Sequence, residues 1–119
     1  MDNIKARFRQ YQEAIEASNI VSKTDTNGTI TFVNDEFCKM SGFKREELIG
    51  ANHNIVRHPE VPKDVYARLW ETILAKKVHK GTIRNRTKDG RDVYLNTTII
   101  PILNLSGEIE EFLAIRYDV

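Results

Sequence analysis

Residues 20–34, IVSKTDTNGTITFVN, contain two short β-rich runs separated by a turn. The runs 20–24 and 29–33 flank Asp25-Thr26-Asn27-Gly28, and an Asn-Gly pair tolerates the positive φ angles that tight hairpin turns require. No other segment of the chain carries as strong a hairpin signal. The stretch therefore predicts two antiparallel strands near the start of the domain.

Short helical segments follow this hairpin. Asn34 or Asp35 can cap a turn that runs through residues 37–40, and Gly42 ends it. Residues 44–49 predict a second turn, which ends at Gly50.

A longer helix is predicted from residue 62 to about residue 76. Val65, Leu69 and Ile73 recur at steps of four, with Trp70 and Leu74 beside them. This spacing predicts a broad apolar face that is buried against a large surface.

The C-terminal half has the pattern of strands throughout. The runs 78–87, 93–103 and 110–117 are separated by turns that contain Asp89-Gly90 and Ser106-Gly107. Two strands, a helical middle and three strands predict an α+β domain in which helices cover one face of a five-stranded antiparallel sheet.

An amphipathic helix is predicted ahead of the sheet, in residues 1–17, with the main domain in residues 18–119. Ile4, Phe8, Tyr11 and Ile15 recur at helical spacing and form an apolar seam. The seam requires cover, either from the domain's own sheet or from the same helix of a second copy. The second alternative predicts a homodimer.

Composition narrows the possible functions. The 119 residues carry 18 Lys and Arg against 17 Asp and Glu, a net charge of +1 that gives no broad surface for nucleic acid. The single cysteine, Cys38, excludes an internal disulfide framework and fits a reducing compartment, so we expect a cytoplasmic protein. No apolar run approaches the roughly 20 residues that span a bilayer.

The order of these elements resembles that of a PAS domain over nearly all of residues 18–118. A more specific similarity lies in HNIVRHPEVP, residues 53–62, followed by Trp70 and by RNRTKDG at 84–90. This 53–62 loop closely resembles the loop of the FAD-binding PAS domain of bacterial aerotaxis receptors. Those domains carry a tryptophan near the position of His79 and an aromatic residue near Val93, and this chain departs from them at both places.

The resemblance implies a PAS fold and a sensory, non-enzymatic module that binds FAD and responds to redox state or to oxygen and energy status. It would pass its signal to an attached domain or chemoreceptor partner. Arg57 and His58 can meet a phosphate, and asparagine side chains can bind ring edges. The expected cofactor-binding residues are Asn34, His53, Arg57, His58, Glu60, Trp70, Asn85 and Asn96.

Several alternatives stay open at this level. Arg57 can instead pair with Glu60, and the apolar surroundings of Trp70 are also typical of a core residue. Haem or another small ligand is the second choice of cofactor, and a ligand-free dimerisation module of a histidine kinase or cyclic-dinucleotide enzyme is the third reading.

Three kinds of chemistry are not expected. The spacing of the histidines matches no recognised metal-binding motif, and the chain has no recognisable set of nucleophile, base and oxyanion donors. Photosensory flavin domains carry a reactive cysteine in an Asn-Cys-Arg triplet, where this chain has Asn52-His53-Asn54. We therefore expect no thiol adduct with a flavin.

Overall fold

The computed structural model describes residues 2–118. Its helices are α1 (Asp2–Ser18), α2 (Asp35–Ser41), α3 (Arg45–Leu48) and α4 (Lys63–Leu74), with a 3-10 turn at His53–Val56 between α3 and α4. Its strands are β1 (Ile20–Thr24), β2 (Ile30–Val33), β3 (His79–Arg86), β4 (Asp92–Leu103) and β5 (Ile109–Asp118). The strands form one antiparallel sheet in the order β2-β1-β5-β4-β3, which confirms the predicted fold class.

The predicted hairpin joins β1 to β2, and its turn is held by Asp25. The Asp25 carboxylate accepts hydrogen bonds from the backbone N–H groups of Asn27 and Thr29, at 2.9 and 3.0 Å. Of the Asn-Gly pair, only Gly28 adopts a positive φ, 84°. A Cβ atom at Gly28 would lie 3.3 Å from Trp70 Cζ2, so this glycine also lets the hairpin approach α4 closely.

Helix α4 buries a narrower face than its sequence predicts. Leu69 and Ile73 are buried as expected, but Val65 is 37% and Leu74 55% exposed, so the predicted burial of these two residues was wrong. Val65 lies in the first turn of the helix, and the inward stripe instead runs through Tyr66, Leu69, Trp70 and Ile73. These positions follow the same i, i+3, i+4 spacing from a starting point one residue later.

Two apolar clusters hold the helices on the sheet. The first includes Phe37 of α2, Leu48 of α3 and Leu95 of β4. The second joins Leu69 and Ile73 of α4 to Phe112 of β5, with Trp70 packed against it. Trp70 meets Phe112 edge-on, with ring centroids 5.6 Å apart. Members of both clusters line a cavity between the helices and the sheet.

The apolar seam of α1 is not covered by the domain's own sheet. Its exposed fractions are 71% for Ile4, 70% for Phe8, 64% for Tyr11 and 40% for Ile15. Within residues 2–118, no helix is both long and apolar enough to cross a membrane.

Candidate functional site

A cavity of about 380 Å³ lies between the inner face of the sheet, α4 and the start of the 53–62 loop. Its volume is in the range of small-molecule sites, and its walls mix apolar and polar side chains. Trp70, Phe112, Ile83 and Ile99 supply flat or aliphatic surface. The polar side chains that face it include Asn85, Thr97, His53 and Arg116.

Arg116 of β5 places a buried guanidinium in this cavity. The residue is 2% exposed, and its Nη2 lies 3.0 Å from Ser22 Oγ and 2.8 Å from His53 Nε2. Its other terminal nitrogen, Nη1, is buried and has no hydrogen-bond partner among the described residues. Burial lowers the pKa of Arg116 to about 10. Because this value is still well above neutral pH, the group stays charged.

His53 is neutral beside this cation. Burial lowers its pKa to about 3, and the charges of Arg116 and Arg57 act in the same direction. Because Nε2 accepts from the guanidinium, the single ring proton of the neutral imidazole is on Nδ1. The Phe37 ring completes the enclosure, with its centroid 5.1 Å from the central carbon of the Arg116 guanidinium.

Arg57 lies at the opening of the cavity, where its side chain is exposed. Its guanidinium stacks on the ring of Tyr66 at 3.7 Å, and it does not pair with Glu60. The Tyr66 hydroxyl is buried without a hydrogen-bond partner in the described chain. A backbone bridge between Arg57 and Asn85 holds this part of the loop on β3.

Asn85 presents a further free polar group to the cavity. It is 5% exposed, and its side-chain amide makes no hydrogen bond to any described residue. Buried amides are normally paired, so a free one facing a cavity is a candidate ligand contact.

His58 and Glu60 lie outside the cavity and hold the loop in place. His58 Nδ1 accepts from the backbone N–H of Glu60 at 3.0 Å, and Nε2 lies 2.9 Å from Asp92 Oδ1. Arg84 bridges the carboxylates of Asp92 and Glu60, at 2.7 and 3.0 Å. Its guanidinium, followed by His58, holds the pKa of Asp92 below its usual value. This network attaches the loop to β3 and β4.

Asn34 also lies outside the cavity, at the junction of α1, β1 and α2. Its Oδ1 accepts from the backbone N–H groups of Val21 and Phe37, both at 3.0 Å. Its Nδ2 donates to the backbone carbonyls of Glu16 and Asn19, at 2.8 and 2.7 Å. Because its amide makes these four hydrogen bonds to the backbone, Asn34 links α1, β1 and α2.

Asn96 lies on the outer face of the sheet. Its neighbours Leu95 and Thr97 are buried on the inner face, and successive strand residues alternate between faces. Its Oδ1 accepts from Thr82 Oγ1 of β3 at 2.9 Å. Of the eight residues predicted to bind cofactor, the structure thus brings four to the cavity, which are His53, Arg57, Trp70 and Asn85.

Sequence reasoning missed Arg116 and Tyr66. A signal for Arg116 was present in the strand itself, since Phe112, Ala114 and Arg116 alternate onto one face. A charged residue on the apolar face of a strand is rarely buried without a purpose.

Comparison with known families agrees with this architecture. The PAS fold family matches residues 6–119. The chain belongs to the PAS family. It is therefore a PAS sensory domain.

Relatives of this PAS domain occur in regulators and receptors. It is 31% identical over 104 residues to a nitrogen fixation regulatory protein of Klebsiella pneumoniae, covering 87% of this chain and 21% of the relative. It is 34% identical over 99 residues to the aerotaxis receptor of Escherichia coli K12, covering 83% and 19%. The chain spans about one fifth of the length of these two relatives.

Solved structures show the same fold. A light-oxygen-voltage domain studied with a flavin analogue superposes with a TM-score of 0.82 at 17% identity, covering 90% of this chain and 82% of that one. A PAS domain of a Colwellia psychrerythraea protein superposes with a TM-score of 0.78 at 25% identity, covering 94% and 96%. Cys38 is partly buried against the core of this PAS domain and does not line its cavity.

Proposed function

We propose that this PAS domain is the cofactor-binding sensory module of a bacterial signalling protein, and that its cavity holds the ring system of FAD. The observation that carries the proposal is the presence of unpartnered polar groups on residues that line the cavity. Arg116 Nη1 and the Tyr66 hydroxyl are buried without protein partners within the described residues, and the Asn85 side chain lines the same cavity. Such groups require a ligand or water to complete their hydrogen bonds.

The chemistry of these groups fits a flavin. An isoalloxazine ring is planar, apolar over its faces and rich in hydrogen-bond acceptors along one edge. The indole of Trp70 and the side chains of Ile83 and Ile99 suit its faces, whereas Arg116 and Asn85 can donate to its oxygens. At the cavity opening, Arg57 can bind the pyrophosphate.

The same geometry favours a flavin over haem. An axial haem ligand needs a histidine nitrogen free to bind iron, but His53 Nε2 is engaged by Arg116. His58 lies outside the cavity with both ring nitrogens in contact with protein groups.

A bound flavin would supply reversible uptake of electrons and protons, and residues of this chain would convert that change into movement. Arg116 contacts Ser22 of β1. The preceding residue, Val21, donates its backbone N–H to Asn34 Oδ1. Asn34 in turn holds the last turn of α1. A change in the hydrogen bonds of Arg116 can therefore reach α1 through two residues of one strand and a single side chain.

We also propose that α1 joins two copies of the domain, so that the signal reaches an attached output domain through a paired helix. The exposed seam of Ile4, Phe8, Tyr11 and Ile15 supports this role.

The deciding experiment is the visible spectrum of the freshly purified protein, repeated after incubation with FAD and removal of free cofactor. We expect two flavin absorption bands that are bleached by dithionite. A protein that stays colourless after incubation would refute the flavin assignment, and a Soret band would support haem instead.

A further inference from the structure

The buried charge of Arg116 is not neutralised by the protein. No acidic side chain of the described residues lies within salt-bridge distance of its guanidinium, whose hydrogen-bond partners are the Ser22 hydroxyl and the neutral His53 ring. Isolated buried cations are costly, since neither water nor a counter-ion compensates them. We expect a bound ligand to offset the free-energy cost of burying this charge.

Arg116 keeps a donor that no described residue uses. Nη2 is occupied by Ser22 and His53, whereas Nη1 is buried without a partner among the described residues, and Arg116 lines the cavity. A guanidinium presents its donors in one plane, and it binds oxygens that carry negative charge best.

We propose that Arg116 is a ligand-contacting residue that selects, from the wall of the cavity, for an oxygen bearing negative charge. The favoured ligands are planar molecules with an anionic edge, or with an edge that becomes anionic on reduction. The neutral state of His53 is part of the site, because a protonated imidazole would repel the guanidinium beside it.

The consequence for a flavin rests on the proposed function. A flavin that takes up two electrons and one proton from a chemical reductant gains one negative charge on its ring. Arg116 then binds the reduced cofactor more tightly than the oxidised one, because the charge-assisted hydrogen bond strengthens.

The first test uses FAD-loaded wild-type protein, Arg116→Gln and Arg116→Lys. The ratio of the dissociation constants for oxidised and dithionite-reduced FAD is measured for each. In Arg116→Gln we expect this ratio to fall by about tenfold relative to wild type, equivalent to about 30 mV for a two-electron couple. Arg116→Lys should retain part of the preference because it keeps the charge. An unchanged ratio in Arg116→Gln overturns the proposal.

A second test needs no flavin, so failure of the flavin assignment and failure of the Arg116 assignment are distinguishable. Benzoate and benzamide have nearly the same shape and differ in charge. Ligand-free wild type should bind benzoate about tenfold more tightly than benzamide, and Arg116→Gln should lose this preference. Absence of a preference for benzoate in wild type, including absence of any binding, counts against the proposal.

Protein stability separates a ligand-binding role from a structural one. If Arg116 serves a ligand, ligand-free Arg116→Met should melt close to the wild-type temperature, because removal of a costly buried charge offsets the loss of its hydrogen bonds to Ser22 and His53. A much lower melting temperature for this variant would indicate that the guanidinium holds the fold together, and it would overturn the assignment.

Discussion

His53 Nε2 lies 2.8 Å from Arg116 Nη2 inside the cavity, and this contact joins the 53–62 loop to the last strand of the sheet. Because the guanidinium cannot accept a hydrogen bond, the imidazole must, and it can do so only when neutral. Protonation of His53 therefore breaks the contact.

Stability should consequently fall on mild acidification. The pKa of His53 is about 3 in the folded protein, against 6.5 for an unperturbed histidine. Between these values the unfolded chain binds more protons than the folded one, so the free energy of unfolding rises with pH. The contribution of neutral His53 to stability therefore decreases as the pH falls below 6.5. From pH 6 to pH 5 we expect a loss of about 1 kcal/mol that is absent in His53→Gln. Urea titrations at both pH values would measure it, and equal losses in the two proteins would contradict the assignment.

Arg57→Ala should purify with much less flavin while staying folded. Loss of a charge-assisted bond to a phosphate costs about 1 to 3 kcal/mol, or about tenfold to a hundredfold in affinity. Arg68→Ala is a matched control, because Arg68 pairs with Asp64 on the exposed face of α4. Flavin content per folded protein and circular dichroism provide the measurements. Equal flavin in wild type and Arg57→Ala would remove Arg57 from the site.

Tyr66 should act by orienting Arg57. In Tyr66→Leu the guanidinium loses the aromatic face on which it stacks, a contact worth about 0.5 to 1 kcal/mol, and flavin affinity should fall a few-fold. Tyr66→Phe keeps the stacking. Any loss in Tyr66→Phe therefore measures a hydrogen bond from the hydroxyl to the ligand, whereas a normal affinity in Tyr66→Leu would argue against orientation.

Asn34→Ala should destabilise the domain strongly. It removes four hydrogen bonds and leaves the backbone donors of Val21 and Phe37 without their side-chain acceptor, for a cost of about 2 to 3 kcal/mol. Asn96→Ala, on the outer face of the sheet, should change the free energy of unfolding by less than about 1 kcal/mol. Denaturant titration of both variants distinguishes a residue that links three elements from one that makes a surface contact. Similar free energies of unfolding for the two variants would contradict the role given to Asn34.

Polar substitutions in the seam of α1 should lower the molecular mass in solution. Phe8→Gln with Ile15→Gln removes exposed apolar area that a second copy would cover. Ala6→Gln with Glu13→Gln, at exposed positions outside the seam, is the control. Light scattering over a range of concentrations should show a dimer for wild type and control and a monomer for the seam variant. A wild-type monomer at all concentrations would exclude this interface.

The strands could be predicted closely because their signals are local. The β1–β2 hairpin follows from Asp25 and Gly28, whose turn chemistry acts within five residues, and β4 and β5 follow from alternation along each strand. The burial of Val65 was predicted wrongly, because apolar spacing in a helix shows only that an apolar stripe exists. Tertiary contacts decide which side of that stripe faces the sheet.

By itself the sequence determined the order of the elements, the apolar faces that bring helices onto a sheet, and the PAS similarity carried by the 53–62 loop. Only the tertiary structure decided which polar side chains meet. Asn34 links β1, α1 and α2 because these elements converge on it. Arg116 lies in the cavity wall beside Ser22 and His53, which are 94 and 63 positions away in the chain. Hydrogen bonds depend on distances of about 3 Å, and no local pattern encodes such distances between residues so far apart in sequence.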